Sequence, residues 1–254
     1  MKNRLLAEVV AEAFGTFVII TFGCGVVAMV VLFGHGTQNE IVNGGFTNIT
    51  IAWGLGVTMG VYMTAKISGG HLNPAVTLAM AVFRGFPWWR VLPYMAAQVF
   101  GAFLGAALVY LNYRPAFLKY DPSLSQSAGV FATFPAFPDL PMAGFLDQVI
   151  GTFLLLLLIF TLTDEDNATP PGWLVPILVG FSVIAIGMSF GGMHGYAINP
   201  ARDFGPRLFT LVAGFSNNGF SDGTFLVPLI APLIGGLAGA GAYDLLIRRW
   251  LREE

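Results

Sequence analysis

Charge and cysteine are both scarce in this sequence. Only 10% of its 254 residues are charged, against roughly 25% in an average soluble domain, and the formal net charge is −2. No run of lysine or arginine occurs, which argues against a nucleic-acid partner. The one cysteine, Cys24, lies in an apolar stretch, so an internal disulfide framework is excluded and a packing role is expected.

Groupings typical of a metal centre or an enzyme are also missing. The sequence has three histidines, and none stands at zinc-site spacing from a second ligand. No nucleophile is accompanied by a recognisable base. We therefore expect no metal, no cofactor and no enzymatic activity.

Apolar residues, in contrast, are abundant. They make up 56% of the chain, and the mean hydropathy is +0.73. Stretches long enough to cross ~30 Å of hydrocarbon recur at roughly 6–32, 42–65, 88–111, 143–163, 173–191 and 226–247. Glu8 and Glu12 interrupt the first stretch, which favours a retained span over a cleaved signal. The sequence predicts an all-α membrane protein with six transmembrane helices.

The basic residues indicate how these helices are oriented. In a six-span arrangement one side carries most of them: Lys2, Arg4, Arg84, Arg90, Arg248, Arg249 and Arg252. Arg114 and Lys119 are expected in the long loop on the other side. Because short cytoplasmic loops are enriched in lysine and arginine, both termini are predicted to be cytoplasmic, at the cell membrane.

An internal repeat divides the chain into two halves. The segment EAFGTF at 12–17 matches QVIGTF at 148–153, and Gly101 and Gly105 match Gly235 and Gly239. Within a single domain, 1–254, repeat 1 covers about 1–115, a linking outer loop about 112–142, and repeat 2 about 143–254. Three spans per repeat is an odd number, so the second repeat must be inverted relative to the first. The paired glycines predict close helix packing.

Each half contains the same tripeptide after a glycine-rich polar break: Asn73-Pro74-Ala75 and Asn199-Pro200-Ala201. Asparagine suits a helix N-cap and proline suits the first turn, so each tripeptide predicts a re-entrant half-helix. Inversion brings the two half-helices together near the midplane of the bilayer. Irregular backbone at that depth must be buried or line a watery cavity. Pore-facing carbonyls are therefore expected from the preceding loops, at Gly69, Gly70, His71, Gly195, Tyr196 and Ala197.

With this doubled motif, the sequence resembles the major intrinsic proteins, the aquaporin family, over essentially its whole length. It looks like the glycerol-facilitator or aquaglyceroporin branch, because Asp203 follows Arg202 and because Pro228-Leu229 stands in the sixth span. The resemblance implies a passive channel for glycerol, other small neutral polyols and some water, which excludes protons and ions. It also implies a homotetramer with one pore per subunit.

The resemblance implies a selectivity filter with four walls: Trp53, Gly187, Tyr196 and Arg202. Glycine at 187 leaves room where water-specific channels usually have histidine. Tyr196 stands where bacterial glycerol facilitators usually have phenylalanine. Aromatic walls suit the CH edge of a polyol, and a guanidinium can donate to its hydroxyl oxygens.

The resemblance also implies a scaffold role for Glu12, which would accept hydrogen bonds from N–H groups of the first pore loop. Gln148 takes the matching position in the second half and lacks the charge assistance of a carboxylate, so Gln148→Glu is expected to be tolerated. Asp147 is expected to face elsewhere on its helix.

Three further residues near the second tripeptide have expected roles. Asp203 should pair with a nearby cation or cap the half-helix. Arg207 should be a solvated residue of the outer mouth. For His194 two roles stay open, a packing hydrogen bond and gating. Cys24 is expected to lie away from the constriction.

Other functions remain as alternatives. The pore could serve mainly water, urea or metalloid hydroxides. A secondary active transporter would need a coupling-ion site or a proton relay, and beyond Glu12 and His71 the spans contain no acidic chain. An ion channel conflicts with Arg202 in the constriction.

Overall fold

A computed structural model describes residues 2–34 and 43–251, and Arg252 lies outside them. The described chain is helical, as predicted, with eight principal helices: α1 Lys2–Phe33, α2 Gly45–Ser68, α3 Pro74–Phe83, α4 Trp88–Tyr120, α5 Pro141–Thr163, α6 Val175–Phe190, α7 Pro200–Val212 and α8 Leu226–Tyr243. A 3₁₀ turn, Ser127–Val130, lies in the outer loop. Beyond α8 the chain continues as a π-helical turn, Asp244–Arg248, and a last helical turn, Arg249–Leu251.

Six long helices correspond to the six predicted spans, and α3 and α7 are the two half-helices. By length and composition alone, four helical segments of the described residues are apolar enough to cross a membrane: Arg4–Phe33, Trp88–Tyr120, Pro141–Thr163 and Leu226–Leu251. The other two are less typical. α2 has 24 residues but includes several threonines and glycines, and α6 has 16 residues, a length of about 24 Å.

The end of α4 differs from the sequence prediction. The helix continues through Pro115 to Tyr120, so Arg114 and Lys119 lie in its last turns and not in the outer loop. The non-helical part of that loop begins at Asp121, later than the boundary predicted near residue 112. Neighbouring helices allow a proline within a membrane helix, which explains why this proline does not end it.

Helix packing repeats in the two halves. α1 packs against α2 and α4, and α5 packs in the same way against α6 and α8. The half-helices cross between the halves, because α3 packs against α8 and α7 packs against α4. This is the inverted internal repeat that the sequence predicted.

The matched glycines allow these helices to approach closely. A Cβ atom at Gly105 of α4 would lie 2.8 Å from the carbonyl oxygen of Phe17 in α1. In the second half, a Cβ atom at Gly239 of α8 would overlap the carbonyl oxygen of Phe153 in α5. Both pairs of glycines therefore serve packing inside one subunit.

Three ion pairs join helix ends on one face. Arg84, after α3, forms a bidentate pair with Asp244 at 2.7 and 2.8 Å. Arg90 of α4 lies 3.1 Å from Glu8 of α1. Finally, the Arg248 side chain lies 3.0 Å from Asp164, directly after α5. The basic residues assigned to the cytoplasmic side thus share a face with partners from both halves.

Candidate functional site

The two half-helices begin at the predicted asparagines. The side-chain oxygen of Asn73 accepts the N–H of Ala75 at 2.9 Å, and that of Asn199 accepts the N–H of Ala201 at 3.0 Å and of Arg202 at 3.2 Å. Pro74 and Pro200 occupy the first helical positions. Short-range chemistry therefore fixes both helix starts, as predicted.

The same asparagines tie the two pore loops together. Asn73 Nδ2 donates to the carbonyl of Ile198 at 2.9 Å, and Asn199 Nδ2 donates to the carbonyl of Leu72 at 2.8 Å. The half-helix N-termini therefore meet, which is possible only if the two segments enter from opposite faces. A side-chain amide carries two hydrogens, so each asparagine keeps one for a molecule in the pore.

A cavity of about 510 Å³ follows this junction. Its lining includes Asn73 and Asn199, and near the end of α5 it includes Glu165 and Thr169. Most residues predicted to present pore carbonyls lie on it: Gly69, Gly70, His71, Tyr196 and Ala197. Gly195 does not line it, although Trp53 and Arg202 do.

Trp53 and Arg202 form one corner of the cavity. The guanidinium carbon of Arg202 lies 4.0 Å from the centre of the Trp53 ring, and Arg202 Nη1 donates to the carbonyl of Phe131 at 3.0 Å. The indole is 3% exposed, so it is not an anchor at the membrane surface. Gly23 of α1 lies against its ring, where a side chain would overlap it. A planar cation on an aromatic face therefore forms two adjoining sides of the pore.

Tyr196 covers Gly187. A Cβ atom at position 187 would lie 2.8 Å from Cε2 and from Cζ of the tyrosine ring, and Gly187 does not line the cavity. The edge of Phe46 packs on the same ring, with centroids 6.1 Å apart. Tyr196 has φ +34°, in the left-handed region that side chains seldom occupy. The aromatic ring, and not the open space beside the glycine, therefore faces the pore here.

The carboxylate of Glu12 contacts the first pore loop through several hydrogen bonds. One oxygen accepts Ser68 Oγ at 2.6 Å and the His71 N–H at 3.0 Å, and the other accepts the Leu72 N–H at 2.7 Å. Gln98 Nε2 also donates to it at 2.7 Å. The loop carbonyls are thereby left free to face the cavity. Sequence reasoning missed Ser68 and Gln98, although a glutamine within an apolar span was a visible signal.

The second half divides this work between two residues. Gln148 Oε1 accepts the Ile198 N–H at 2.9 Å, while Nε2 donates to the His194 carbonyl at 3.1 Å and to Asp147 Oδ2 at 3.3 Å. The expectation that Asp147 faces elsewhere was wrong. Its side chain is buried, and its carboxylate also interacts with the backbone N–H of His194.

Asp203 pairs with a cation, and that cation is Arg207. Arg207 Nε lies 2.8 Å from Asp203 Oδ1, and Nη2 donates to the Thr133 carbonyl at 2.6 Å. Arg207 is fully buried beneath the outer loops, with Phe134 packed on its guanidinium, so the expectation of a solvated residue was wrong. Asp203 also accepts the N–H and hydroxyl of Thr133.

The remaining residues singled out in the sequence lie close by. His71 lines the cavity, and its Nδ1 is 3.2 Å from the hydroxyl of Thr77. Pro228 is buried in the first turn of α8, and Leu229 beside it is half-buried. Among the described residues no group of three histidine, cysteine, aspartate or glutamate side chains could hold a metal ion.

Known proteins resemble this chain in sequence and in structure. Residues 1–243 match the family described as major intrinsic protein. A propanediol uptake facilitator of Salmonella typhimurium is 42% identical over 97% of this chain and 96% of its own length. A glycerol uptake facilitator of Haemophilus influenzae is 41% identical, with the same two coverages.

A solved structure shares the fold. The X-ray structure of the aquaglyceroporin from Plasmodium falciparum superposes with a TM-score of 0.86 at 30% identity, over 98% of this chain and 100% of that one. Together with the apolar helices and the paired half-helices, the family match identifies the chain as a multi-pass membrane protein that belongs to the major intrinsic protein family.

Proposed function

We propose that this protein is a passive transmembrane channel for glycerol and other small neutral polyols, with some water. The observation that carries the proposal is the corner formed by Trp53, Tyr196 and Arg202 at the cavity. The names of the related facilitators and aquaglyceroporins support the same solute class.

Passage through this filter depends on matching the two edges of a polyol. The rings of Trp53 and Tyr196 would contact the CH edge of the polyol, whose CH groups form no hydrogen bonds with water. Arg202 would donate to the hydroxyl oxygens, since one of its terminal nitrogens is held by Phe131 and the guanidinium has further donors. A neutral solute then exchanges hydrogen bonds with water for hydrogen bonds with the wall.

Exclusion of protons and ions follows from charge at two places. The N-termini of α3 and α7 each carry roughly half a positive charge at the centre of the cavity. The free amide hydrogens of Asn73 and Asn199 would hold a central water as an acceptor, so its own hydrogens point away and a proton relay is interrupted. Arg202 adds a second barrier to cations.

The alternative functions have less support. A channel mainly for water, urea or metalloid hydroxides would use the same cavity, and the Trp53–Tyr196 pair favours polyols over these. A secondary active transporter would need a coupling-ion site, and the carboxylate of Glu12 is already held by four hydrogen-bond donors. We also propose that the protein is not an enzyme.

We further propose that the channel is a single domain of two repeats in the cell membrane, as a homotetramer, with both termini cytoplasmic. The orientation is supported by the ion pairs of Arg84, Arg90 and Arg248, which gather the basic residues on one face. Labelling of terminal tags in sealed and opened cells would test the orientation, and cross-linking in native membranes would test the tetramer.

Stopped-flow light scattering on proteoliposomes would test the function. We expect fast, non-saturating flux of glycerol and propanediol, slower flux of urea, and no dependence on an ion gradient. Arg202→Val should reduce discrimination among the solutes, whereas Leu92→Ala, on an exposed part of α4, should not. Glycerol flux no faster than in empty vesicles, from correctly folded protein, would refute the proposal.

A further inference from the structure

His194 is a fully buried histidine of the second pore loop, and its ring faces Thr133 of the outer loop. Its Nδ1 lies 3.4 Å from the hydroxyl oxygen of Thr133. That hydroxyl already donates to Asp203 Oδ2 at 2.8 Å, and an ionised carboxylate can only accept. The Thr133 oxygen must therefore accept from His194, which places the imidazole hydrogen on Nδ1.

The other ring nitrogen, Nε2, has no hydrogen-bond partner within the described part of the chain. The ring edge that carries it packs on Gly144 of α5, where a Cβ atom would lie 2.7 Å from Cδ2. A neutral imidazole leaves Nε2 as an unprotonated acceptor. Protonation would turn this nitrogen into a buried charged donor, which needs a partner.

The charged groups that face His194 come from two helices. α7 contributes Asp203 and Arg207, and α5 contributes Asp147. Thr133, the outer-loop residue within 3.4 Å of the ring nitrogen, is uncharged. Both oxygens of Asp203 are engaged, by Arg207 and by Thr133, and Arg207 repels an imidazolium. A protonated ring would therefore lack a free carboxylate partner among the charges that act on it, Asp203 and Arg207.

Displacement of the ring from Thr133 would loosen the pore loop, because the backbone of His194 is held on both sides. The Asp147 carboxylate interacts with the backbone N–H of His194, and Gln148 Nε2 donates to the His194 carbonyl. Tyr196 follows two residues later, in its left-handed conformation. His194 therefore connects the Thr133 anchor to the aromatic wall of the cavity.

The first half has no titratable group at the corresponding place. Ser68 stands five residues before Asn73, as His194 stands five before Asn199, and its hydroxyl donates to Glu12 at 2.6 Å. The contact between His194 and Thr133 thus has no histidine counterpart at position 68.

We propose that the neutral imidazole of His194 is a positioning residue for the filter: it fixes Tyr196 through Thr133 and the second pore loop, and its protonation lowers selectivity for polyols over water. The inference rests on the proposed function and adds a pH-dependent control to it. His194 touches neither the solute nor the cavity.

The test measures glycerol and water permeability of proteoliposomes from about pH 5 to pH 8, with equal pH on both sides. In the parent, the glycerol-to-water ratio should fall about threefold only toward the acid end of this range, because burial of His194 disfavours the charged imidazolium. His194→Asn keeps a donor near the position of Nδ1 and cannot titrate, so its ratio should stay at the neutral value. His194→Leu and Thr133→Val should have the low ratio at every pH, whereas Thr133→Ser should behave like the parent.

Three results would overturn the inference. The first is a parent whose glycerol-to-water ratio does not change with pH, and the second is a fall of the ratio at low pH that persists in His194→Asn. The third is a folded His194→Leu that keeps the ratio of the parent. If the fall of the ratio at low pH disappears in His71→Asn and persists in His194→Asn, the titrating group is His71. Failure of the proposed function is distinguishable, because the parent would then show no glycerol flux at neutral pH.

Discussion

The thiol of Cys24 and the guanidinium of Arg202 donate to the same acceptor, the backbone carbonyl of Phe131, at 3.8 and 3.0 Å. Cys24 therefore lies directly behind the wall of the candidate filter, and the expectation that it lies away from the constriction was wrong. It is fully buried, so the pore does not expose it. It packs among the buried apolar residues of the core.

Mercury should inhibit the parent weakly, because a buried thiol is not accessible to a metal ion in the pore. Tyr196→Cys would place a soft ligand on the cavity, so mercury should block this variant and a reductant should restore flux. Flux measured with and without mercuric chloride tests this. Cys24→Ser in the same background is the control and should not change the block. Strong block of the parent would show that Cys24 is reachable.

Gly187→Ala should lower glycerol flux more than water flux. The added Cβ atom would lie 2.8 Å from the Tyr196 ring and push it toward the cavity, and a barrier higher by about 1 kcal/mol lowers flux about fivefold. Gly187→His should have a larger effect in the same direction. Gly192→Ala is a matched control, since nothing lies within 4 Å of its Cβ position. Equal loss of both fluxes would contradict a role of position 187 in solute size.

Glu12→Ala should reduce thermal stability and flux together. It leaves the N–H groups of His71 and Leu72 without an acceptor, and each orphaned group costs about 1–3 kcal/mol. Gln98 loses one of its two acceptors and keeps the hydroxyl of Thr77. Glu12→Gln keeps one acceptor oxygen, so its thermal stability and flux should lie between those of the parent and those of the alanine variant. Unfolding temperature in detergent and glycerol flux are the measurements, and an alanine variant as stable as the parent would refute the scaffold role.

Gln148→Glu should destabilise the protein, although the repeat alone predicts that it is tolerated. Its amide nitrogen donates to the His194 carbonyl and to Asp147, and a carboxylate there would repel both. Asp147→Asn in the same chain should restore most of the lost stability, since it removes one of the two negative charges. If the single and double variants unfold at the same temperature, Asp147 and position 148 are not coupled.

Asp121→Asn should weaken the outer loop by an amount that does not change between about pH 5 and pH 8. Burial raises the pKa of Asp121, but hydrogen bonds from the Ser127 hydroxyl and from backbone N–H groups outweigh it and lower the pKa from 3.8 to about 2. A lowered folded pKa contributes stability that is present above 3.8 and is lost as the pH falls through about 2. Thermal unfolding of both proteins across this range tests the prediction, and it separates Asp121 from any effect of His194.

Some features of this protein follow from short stretches of sequence. The half-helices at Pro74 and Pro200 were predicted because an asparagine cap and a first-turn proline act on neighbours two or three residues away. The repeat and its inversion followed from matching segments and an odd number of spans. For Glu12, its place inside a span indicated that the carboxylate needs partners, whereas the scaffold role was an implication of the family resemblance.

Tertiary structure decided what depends on residues far apart in the chain. Asp203 and Thr133 are 70 positions apart, and their contact, with the outer loops over Arg207, buries a residue that sequence reasoning left in solvent. Tyr196 covers Gly187 because its left-handed backbone turns the ring onto α6. A cap depends on the identity of its neighbours, whereas these contacts depend on how helices and loops pack. For that reason the sequence by itself determined where the half-helix of each repeat begins. Only the packed structure determined which side chains form and support the walls of the pore.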